Sequence, residues 1–327
     1  MPLIAWGVFI FSILPLLPFD FWMLALADHF RMHYVLLAAL ALIFSLWLKQ
    51  FRYVFGIFFI AGLNLYVMSP WDWARPSLKH KHDGFSVPTL SLIWLNVHSD
   101  NEAKQEVIDY LLDKNADLIL LSEVNDQWIQ SMEVLNKRWP YQILHPQEDN
   151  FGMAVFSRFE FDSHARLKLE AFEVPAVEMI LRFRDGKTLA VLAVHPVPPI
   201  GKNYTQSRDN YLANLSRHLH GQQKPCIVIG DFNATPWHPP VRRLLNQHQL
   251  MYALPGSSMF PSTWPSALPG MGIPIDLCLT VITVWIAQFD CWIIKWGHVL
   301  DRITGPWNCS LLLSNSNLCN QLQEVLW

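Results

Sequence analysis

The sequence predicts a mixed α/β domain preceded by about three membrane-spanning helices. Three observations carry this. Charged residues are spread unevenly, five in 1–70, 41 in 71–280 and five in 281–327. The first seventy residues contain three long uncharged runs, and from Leu90 the chain alternates short strand-like runs with helix-like ones. The expected organisation is therefore a helical region at 1–70, a linker at 71–89, a globular domain at 90–280 and a tail at 281–327.

Composition agrees with a partly non-aqueous environment. Of 327 residues 52% are hydrophobic and 16% charged, against about 25% charged in ordinary soluble chains. A wholly water-exposed enzyme is disfavoured. The net charge of −3 provides no broad basic field, which argues against tight, non-specific binding of nucleic acid through phosphate neutralisation. The five cysteines, at 226, 278, 291, 309 and 319, show neither CxxC nor Cys/His zinc spacing. Neither a disulfide framework nor a zinc site is expected.

The uncharged runs are Leu3–Phe19, Tyr34–Leu48 and Tyr53–Met68, of seventeen, fifteen and sixteen residues. Each falls a little short of the roughly 20 residues that span a hydrocarbon core. Trp6, Trp22, Trp47, Trp71 and Trp73 sit at or near their ends, where amphipathic rings favour the membrane interface. The alternative, a cleaved signal peptide followed by a buried hairpin, lacks a basic n-region and a small-residue cleavage site. The second loop holds Lys49 and Arg52, and the first holds one arginine against two aspartates. The positive-inside tendency then places the second loop in the cytoplasm and residues 70 onward on the periplasmic or extracellular side. The linker, with its prolines and with His80 and His82, reads as a solvated tether.

In the globular part, Ser91–Val97 reads as an apolar strand. Ser99 and Glu102 have capping-box spacing before a helix whose Val107, Ile108, Leu111 and Leu112 share a face. Leu118–Leu121, Gly152–Ser157, Glu178–Phe183, Thr188–Val194 and Cys226–Ile229 read as strands and Gln206–His220 as a helix. Polar residues gather where these strands end: Asn96, Glu123, His195, Asp231 and Asn233. Strand ends in such domains line a shared crevice. Carboxylates, amides and an imidazole there suit a divalent cation and a phosphate. Each residue alone also has a structural reading: Asn96 as a turn cap, Glu123 as a helix start, His195 before Pro196 as a core histidine, and Asp231 with Asn233 as an Asx-turn.

The order of the segments points further. Asn96 ending a strand, Leu121-Ser122-Glu123-Val124, Gly152-Met153-Ala154-Val155-Phe156-Ser157-Arg158, Val194-His195-Pro196, Gly230-Asp231-Phe232-Asn233-Ala234-Thr235-Pro236 and Pro274-Ile275-Asp276 resemble the endonuclease/exonuclease/phosphatase superfamily, with its deoxyribonuclease I-like fold. The resemblance spans Leu90 to Thr280 and is similar to bacterial members with membrane-spanning N-termini. It implies a four-layer sandwich of two β-sheets flanked by helices, and Mg²⁺- or Mn²⁺-dependent hydrolysis of a phosphoester in nucleic acid, lipid or a small molecule. On that template Glu123 is the principal metal ligand and Asn96 contacts metal-bound water or phosphate. Asp231 orients or deprotonates the attacking water, Asn233 steadies the phosphate, His195 donates to a phosphoryl oxygen, and Asp276 orients a second histidine. The competing expectation is a non-catalytic membrane protein whose phosphoesterase-like domain binds a phosphate-bearing partner.

The family's closing Ser-Asp-His step, some thirty residues after the aspartate matched by Asp276, does not follow here. Val281–Trp327 has five tryptophans and no clean apolar period, and does not look like the closing strands of a core. Back-translating Asp301-Arg302-Ile303-Thr304-Gly305-Pro306-Trp307 one base earlier permits Gly-Ser-Asp-His-Arg-Pro-Leu. A frameshift between about Thr280 and Trp285 accounts for the loss and implies an impaired chain. The remaining alternatives are substitution of the lost pair by His298 or Asp301, and a genuinely divergent tail.

Overall fold

A computed structural model of the chain describes residues 2–17, 21–69, 74–76, 89–170, 172, 174–183, 186–221, 226–254, 263–265, 272–281, 284–286, 290–291 and 309–313. Most of the linker, with His80 and His82, and the tail positions Lys295–Gly297, His298 and Asp301–Trp307 lie outside these residues.

The N-terminal region folds as α1 (Pro2–Ile13), α2 (Trp22–Asp28), α3 (Arg31–Trp47) and α4 (Val54–Val67). The first expected span is interrupted, because α1 ends at Ile13 and a 3-10 turn follows over Leu14–Leu16. Pro15 within that turn and Pro18 just beyond it remove donors that a continuing helix needs. Among the described residues no single helix is long and apolar enough to cross a membrane. By length and composition α2 and α3 pass together, bent by 66° at their junction.

The remaining elements in chain order are β1 (Ala74–Pro76), β2 (Thr89–Asn96), α5 (Lys104–Lys114), β3 (Leu118–Ser122), α6 (Asp126–Ser131), β4 (Tyr141–His145), β5 (Met153–Ser157), β6 (Phe161–Lys168), β7 (Pro175–Arg182) and β8 (Thr188–Val194). They continue with α7 (Lys202–Leu219), β9 (Cys226–Asp231), α8 (Pro239–His248), β10 (Leu250–Leu254), β11 (Asp276–Val281), β12 (Val284–Ile286), β13 (Asp290–Cys291) and β14 (Cys309–Leu313). Among the described residues they form two seven-stranded mixed sheets. One has the order β1-β10-β11-β9-β8-β7-β6 and the other β12-β14-β2-β3-β5-β4, with β13 also on β2.

Side-chain alternation on these strands builds three apolar layers. Between the sheets, Leu92, Trp94 and Leu120 of one meet Met179, Val191 and Ile229 of the other. Outside the first sheet, Tyr211, Leu212, Leu215 and Leu219 of α7 and Val241, Leu244 and Leu245 of α8 cover Leu192 and Val228. Outside the second, Val107, Ile108 and Leu111 of α5, with Trp128, cover Ile93, Leu95 and Ile119. The result is the expected helix–sheet–sheet–helix sandwich. Helix termini follow local chemistry: α5 and α8 end on left-handed Asn115 and Gln249, and α8 opens on prolines.

Two readings are corrected here. The Ser99–Glu102 capping box does not form, since α5 starts at Lys104 with Ala103 before it. The Ser99 hydroxyl instead donates to the Glu123 carbonyl at 3.0 Å. The tail, expected to stand apart from the core, adds β12, β13 and β14 to the second sheet, with β14 antiparallel to β2 and Cys309 opposite Leu92. Backbone pairing along an open strand is tolerant of side-chain identity, so composition alone did not reveal it.

Candidate active site

Parallel pairing places the site. β2 lies parallel to β3, with Asn96 opposite Ser122, and β8 lies parallel to β9, with Val194 opposite Gly230. Asn96, Glu123, His195 and Asp231 therefore leave the two sheets at the same kind of edge. Antiparallel β11 begins there, with Asp276 directly opposite Asp231. The Trp94 indole bridges the sheets by donating to Asp276 Oδ1 at 3.0 Å. All six sequence-predicted residues thus gather at one end of the sandwich.

Local backbone is shaped for this. Glu123 and Asn233 both adopt left-handed φ values, 59° and 48°, a conformation that costs a glutamate more than an asparagine and is found at functional sites. Two glycines permit the required close approach. A Cβ on Gly152 would stand 1.8 Å from the Val124 carbonyl oxygen, and one on Gly230 1.8 Å from that of Val194.

Asn96 Nδ2 donates to Glu123 Oε1 at 2.6 Å, while its Oδ1 accepts the His98 amide at 3.1 Å. The Asn233 amide donates to Asp231 Oδ1 at 2.9 Å, and Asn233 Nδ2 donates to the Pro196 carbonyl at 2.9 Å. The structural readings of Asn96 and Asp231 therefore hold alongside their convergence. The Asx-turn fixes the carboxylate, and Asn233 ties the loop after β9 to the loop after β8. His195 Nε2 lies 3.9 Å from Asp231 Oδ2, and its buried Nδ1 has no partner.

The electrostatics are those of crowded buried carboxylates. Burial pushes Asp231 well above the usual carboxylate range, the charges of Asp276 and Glu123 push it further, and hydrogen bonds from Asn233 and Asn96 restrain it. Burial raises Asp276 to about 6 against hydrogen bonds from Trp94 and Thr263. Glu123 is also raised by burial, opposed by Asn96. Burial lowers His195 to about 4, so its imidazole is neutral at pH 7. Among the described residues no group of three or more His, Cys, Asp or Glu is arranged to enclose a metal ion. A hard cation that keeps most of its water needs only one or two protein carboxylates, and Glu123 beside Asn96 offers oxygen donors of that type.

Sequence reasoning missed Trp94, Thr263 and Arg208. Thr263 Oγ1 accepts the amides of Ile275 and Asp276 at 2.9 and 3.1 Å. Arg208 Nη1 donates to the Asn233 carbonyl at 3.0 Å. Arg208 carried one signal: it falls on the stripe of α7 that includes Tyr211, Leu212 and Leu215. The sequence lacks the Ser-Asp-His step that would supply the second histidine for Asp276, and positions 301–307, where that step was expected, lie outside the described residues.

Several solved structures share the fold. The human Nocturnin catalytic domain with bound sulfate is 17% identical, covers 69% of this chain and 94% of its own, and superposes with a TM-score of 0.52. TDP2 from D. rerio, complexed with a single-strand DNA product, is 16% identical, covering 68% and 98%, with TM-score 0.52. An endonuclease/exonuclease/phosphatase from Bacteroides vulgatus is 15% identical, covering 69% and 99%, with TM-score 0.52. No curated protein sequence matches. The profile of the Endonuclease/Exonuclease/phosphatase family matches residues 93–327, taking in every residue of the site just described, and the chain belongs to that family.

Proposed function

We propose that the chain is a membrane-anchored, divalent-metal-dependent phosphoesterase. The observation that carries this reading is the convergence of Asn96, Glu123, His195, Asp231, Asn233 and Asp276 at one end of the sandwich. Glu123, positioned by Asn96, would hold Mg²⁺ or Mn²⁺, which would supply charge neutralisation for the phosphoryl oxygens. Asp231, fixed by the Asn233 amide and raised in proton affinity by burial and then by the charges of Asp276 and Glu123, takes the proton of the attacking water. Neutral His195 offers one ring N–H to a phosphoryl oxygen, and Asn233 presents its remaining amide proton to the phosphate. Trp94 holds Asp276 in place. The resemblance to relatives associated with sulfate and with a DNA product supports a phosphoester substrate.

Membrane anchoring is supported by side chains with no water-compatible role. Phe55 is 84% exposed, Tyr66 76% and Trp47 74%, together with Ile43, Phe58 and Phe59. An apolar surface of this extent marks a contact with lipid or protein. The corner between α2 and α3 touches the globular domain, and two helices, α3 and α4, separate that corner from residue 70. Crossings by both, α3 as the longer half of the bent pair and α4 as a shorter apolar helix, would return the chain to its starting side. This parity agrees with a cytoplasmic Lys49–Arg52 loop and a globular domain on the periplasmic or extracellular side.

The missing closing Asp-His pair belongs to this reading as a reading-frame change between about Thr280 and Trp285. It lowers turnover by several orders of magnitude relative to an intact site. β14 runs antiparallel to β2 in the second sheet, with Cys309 opposite Leu92. Resequencing codons 270–327 tests it: a one-base correction that restores Ser-Asp-His supports the shift, and an unreadable alternative frame removes it.

The activity is tested with full-length chain in detergent, bis(4-nitrophenyl) phosphate and Mg²⁺. Metal-dependent release of nitrophenol is expected, with Asp231→Ala lowering the rate by about 10²–10⁴-fold. Phosphate binding without turnover in either reading frame of the tail favours the non-catalytic alternative.

A further inference from the structure

A second polar cluster, outside the catalytic residues, joins the N-terminal helices to the loop that follows β9. Asp28, His29, Arg208 and His238 are all buried, with Arg208 at 0% exposure. Arg208 lies at its centre. Its Nη1 reaches His29 Nε2 at 3.1 Å as well as the Asn233 carbonyl, and its Nη2 reaches His238 Nε2 at 2.8 Å and Asp209 Oδ1 at 2.9 Å.

A guanidinium only donates, so both Nε2 atoms face Arg208 as acceptors. His29 Nδ1 meets Thr235 twice, 3.0 Å from its Oγ1 and accepting from its backbone amide at 3.3 Å, and His238 Nδ1 donates to Asp28 Oδ2 at 3.3 Å. Asp28 Oδ1 is taken by Arg31 Nε at 2.6 Å, and the Asp28 carbonyl accepts the Trp237 indole at 2.9 Å. Arg31 continues to Asn64 Oδ1 at 3.1 Å, and Asn64 to Ser12 Oγ at 2.8 Å.

One hydrogen-bonded route therefore runs from the middle of the N-terminal helices, through α1, α3 and α4, to the carbonyl of Asn233. Two carboxylates and two guanidiniums neutralise one another within it. Removing one partner of such a buried set is far more costly than the set is stabilising.

We propose that Arg208, with His29, His238 and Asp28, positions the Asp231–Asn233 loop, so that the N-terminal helices are part of the catalytic apparatus as well as its anchor. The proposal rests on the phosphoesterase reading for its consequence in turnover, but its geometric content stands apart. Asn233 uses its amide proton on Asp231, its side chain on the loop after His195 and its carbonyl on Arg208. Loss of the last contact frees a residue already held in left-handed backbone.

The test uses full-length chain in detergent and two variants, His29→Ala and His29→Gln, the latter keeping an oxygen that accepts from Arg208. Amide hydrogen exchange over 231–238 is expected to rise about tenfold in His29→Ala, with exchange over 188–194 and 226–230 unchanged. The kcat for bis(4-nitrophenyl) phosphate is expected to fall by about 10- to 100-fold with KM nearly constant, and His29→Gln to recover most of both losses. Unchanged exchange over 231–238 in His29→Ala overturns the proposal. So does an equal loss of protection across β8, β9 and the loop, which marks a purely structural role. A parent chain without turnover in either reading frame of the tail sinks the phosphoesterase reading, while the exchange contrast still decides whether the corner positions the loop.

Discussion

His195 shows what burial does to a single side chain at this end of the sandwich. Its ring lies against Phe151 at 5.3 Å, faces Asp231 at 3.9 Å and titrates near 4 because it is cut off from water. Between pH 6.5 and 4 the unfolded chain binds a proton here that the folded chain does not, so stability falls as pH drops through that window. Asp276, held up to about 6, has the opposite sign: the folded chain binds its proton first, and stability rises as pH falls from 6 toward 3.8. His195→Gln removes the first slope and leaves the second. Urea unfolding at pH 7 and pH 4 is expected to show the variant gaining roughly 3 kcal/mol on the parent at the lower pH. An unchanged difference at the two pH values contradicts the buried, neutral state. At this scale the sequence was informative because carboxylates, amides and an imidazole at strand ends have few structural reasons to cluster. Arg208 and Thr263 were not legible, since their partners lie 25 and 12 residues away across turns that only the fold closes.

Elements with a single buried environment were the most readable. β8 was found at its observed bounds, Thr188–Val194, because both faces of the strand are covered and its residues form one apolar run. β6 escaped notice for the opposite reason: it is an edge strand whose residues are nearly all exposed, so Phe161–Lys168 reads as polar loop. The capping box failed because Ser99 had a stronger tertiary use at Glu123. The backbone contact between β8 and β9 at Gly230 yields a prediction for this scale. A methyl group there overlaps the Val194 carbonyl, so Gly230→Ala must part the two strands beside Asp231. Thermal unfolding is expected to show a loss of about 1–3 kcal/mol, and phosphodiester turnover a larger fractional loss than stability explains. A variant with parent stability and turnover contradicts this account of the approach.

For the whole molecule, the division into an apolar N-terminal region and a four-layer domain followed from charge distribution and strand–helix alternation. The number of helices and their breaks did not, because Pro15 interrupts a run that hydropathy reads as continuous, while α2 and its bend at Asp28–Arg31 fall in the stretch read as the first loop. Nor did the docking of that bend on Thr235, Trp237 and His238, which depends on residues more than 200 positions away. The topology proposed from it is checked by single thiols in a chain whose own cysteines are replaced. On intact cells an impermeant maleimide is expected to label Ile200→Cys and to leave Gln50→Cys unlabelled until the cells are opened. The reverse pattern contradicts the parity argument.

The central claim is that one end of the sandwich hydrolyses phosphoesters with a metal held at Glu123. Its most direct measurement is the Mg²⁺ dependence of bis(4-nitrophenyl) phosphate hydrolysis by full-length chain and its Glu123→Gln variant, with the tail in each reading frame. The account predicts saturable activation, silence in EDTA, and a half-saturating Mg²⁺ concentration raised by at least about 10-fold in the variant. Hydrolysis indifferent to EDTA and to Glu123→Gln, or no hydrolysis in either frame, contradicts it.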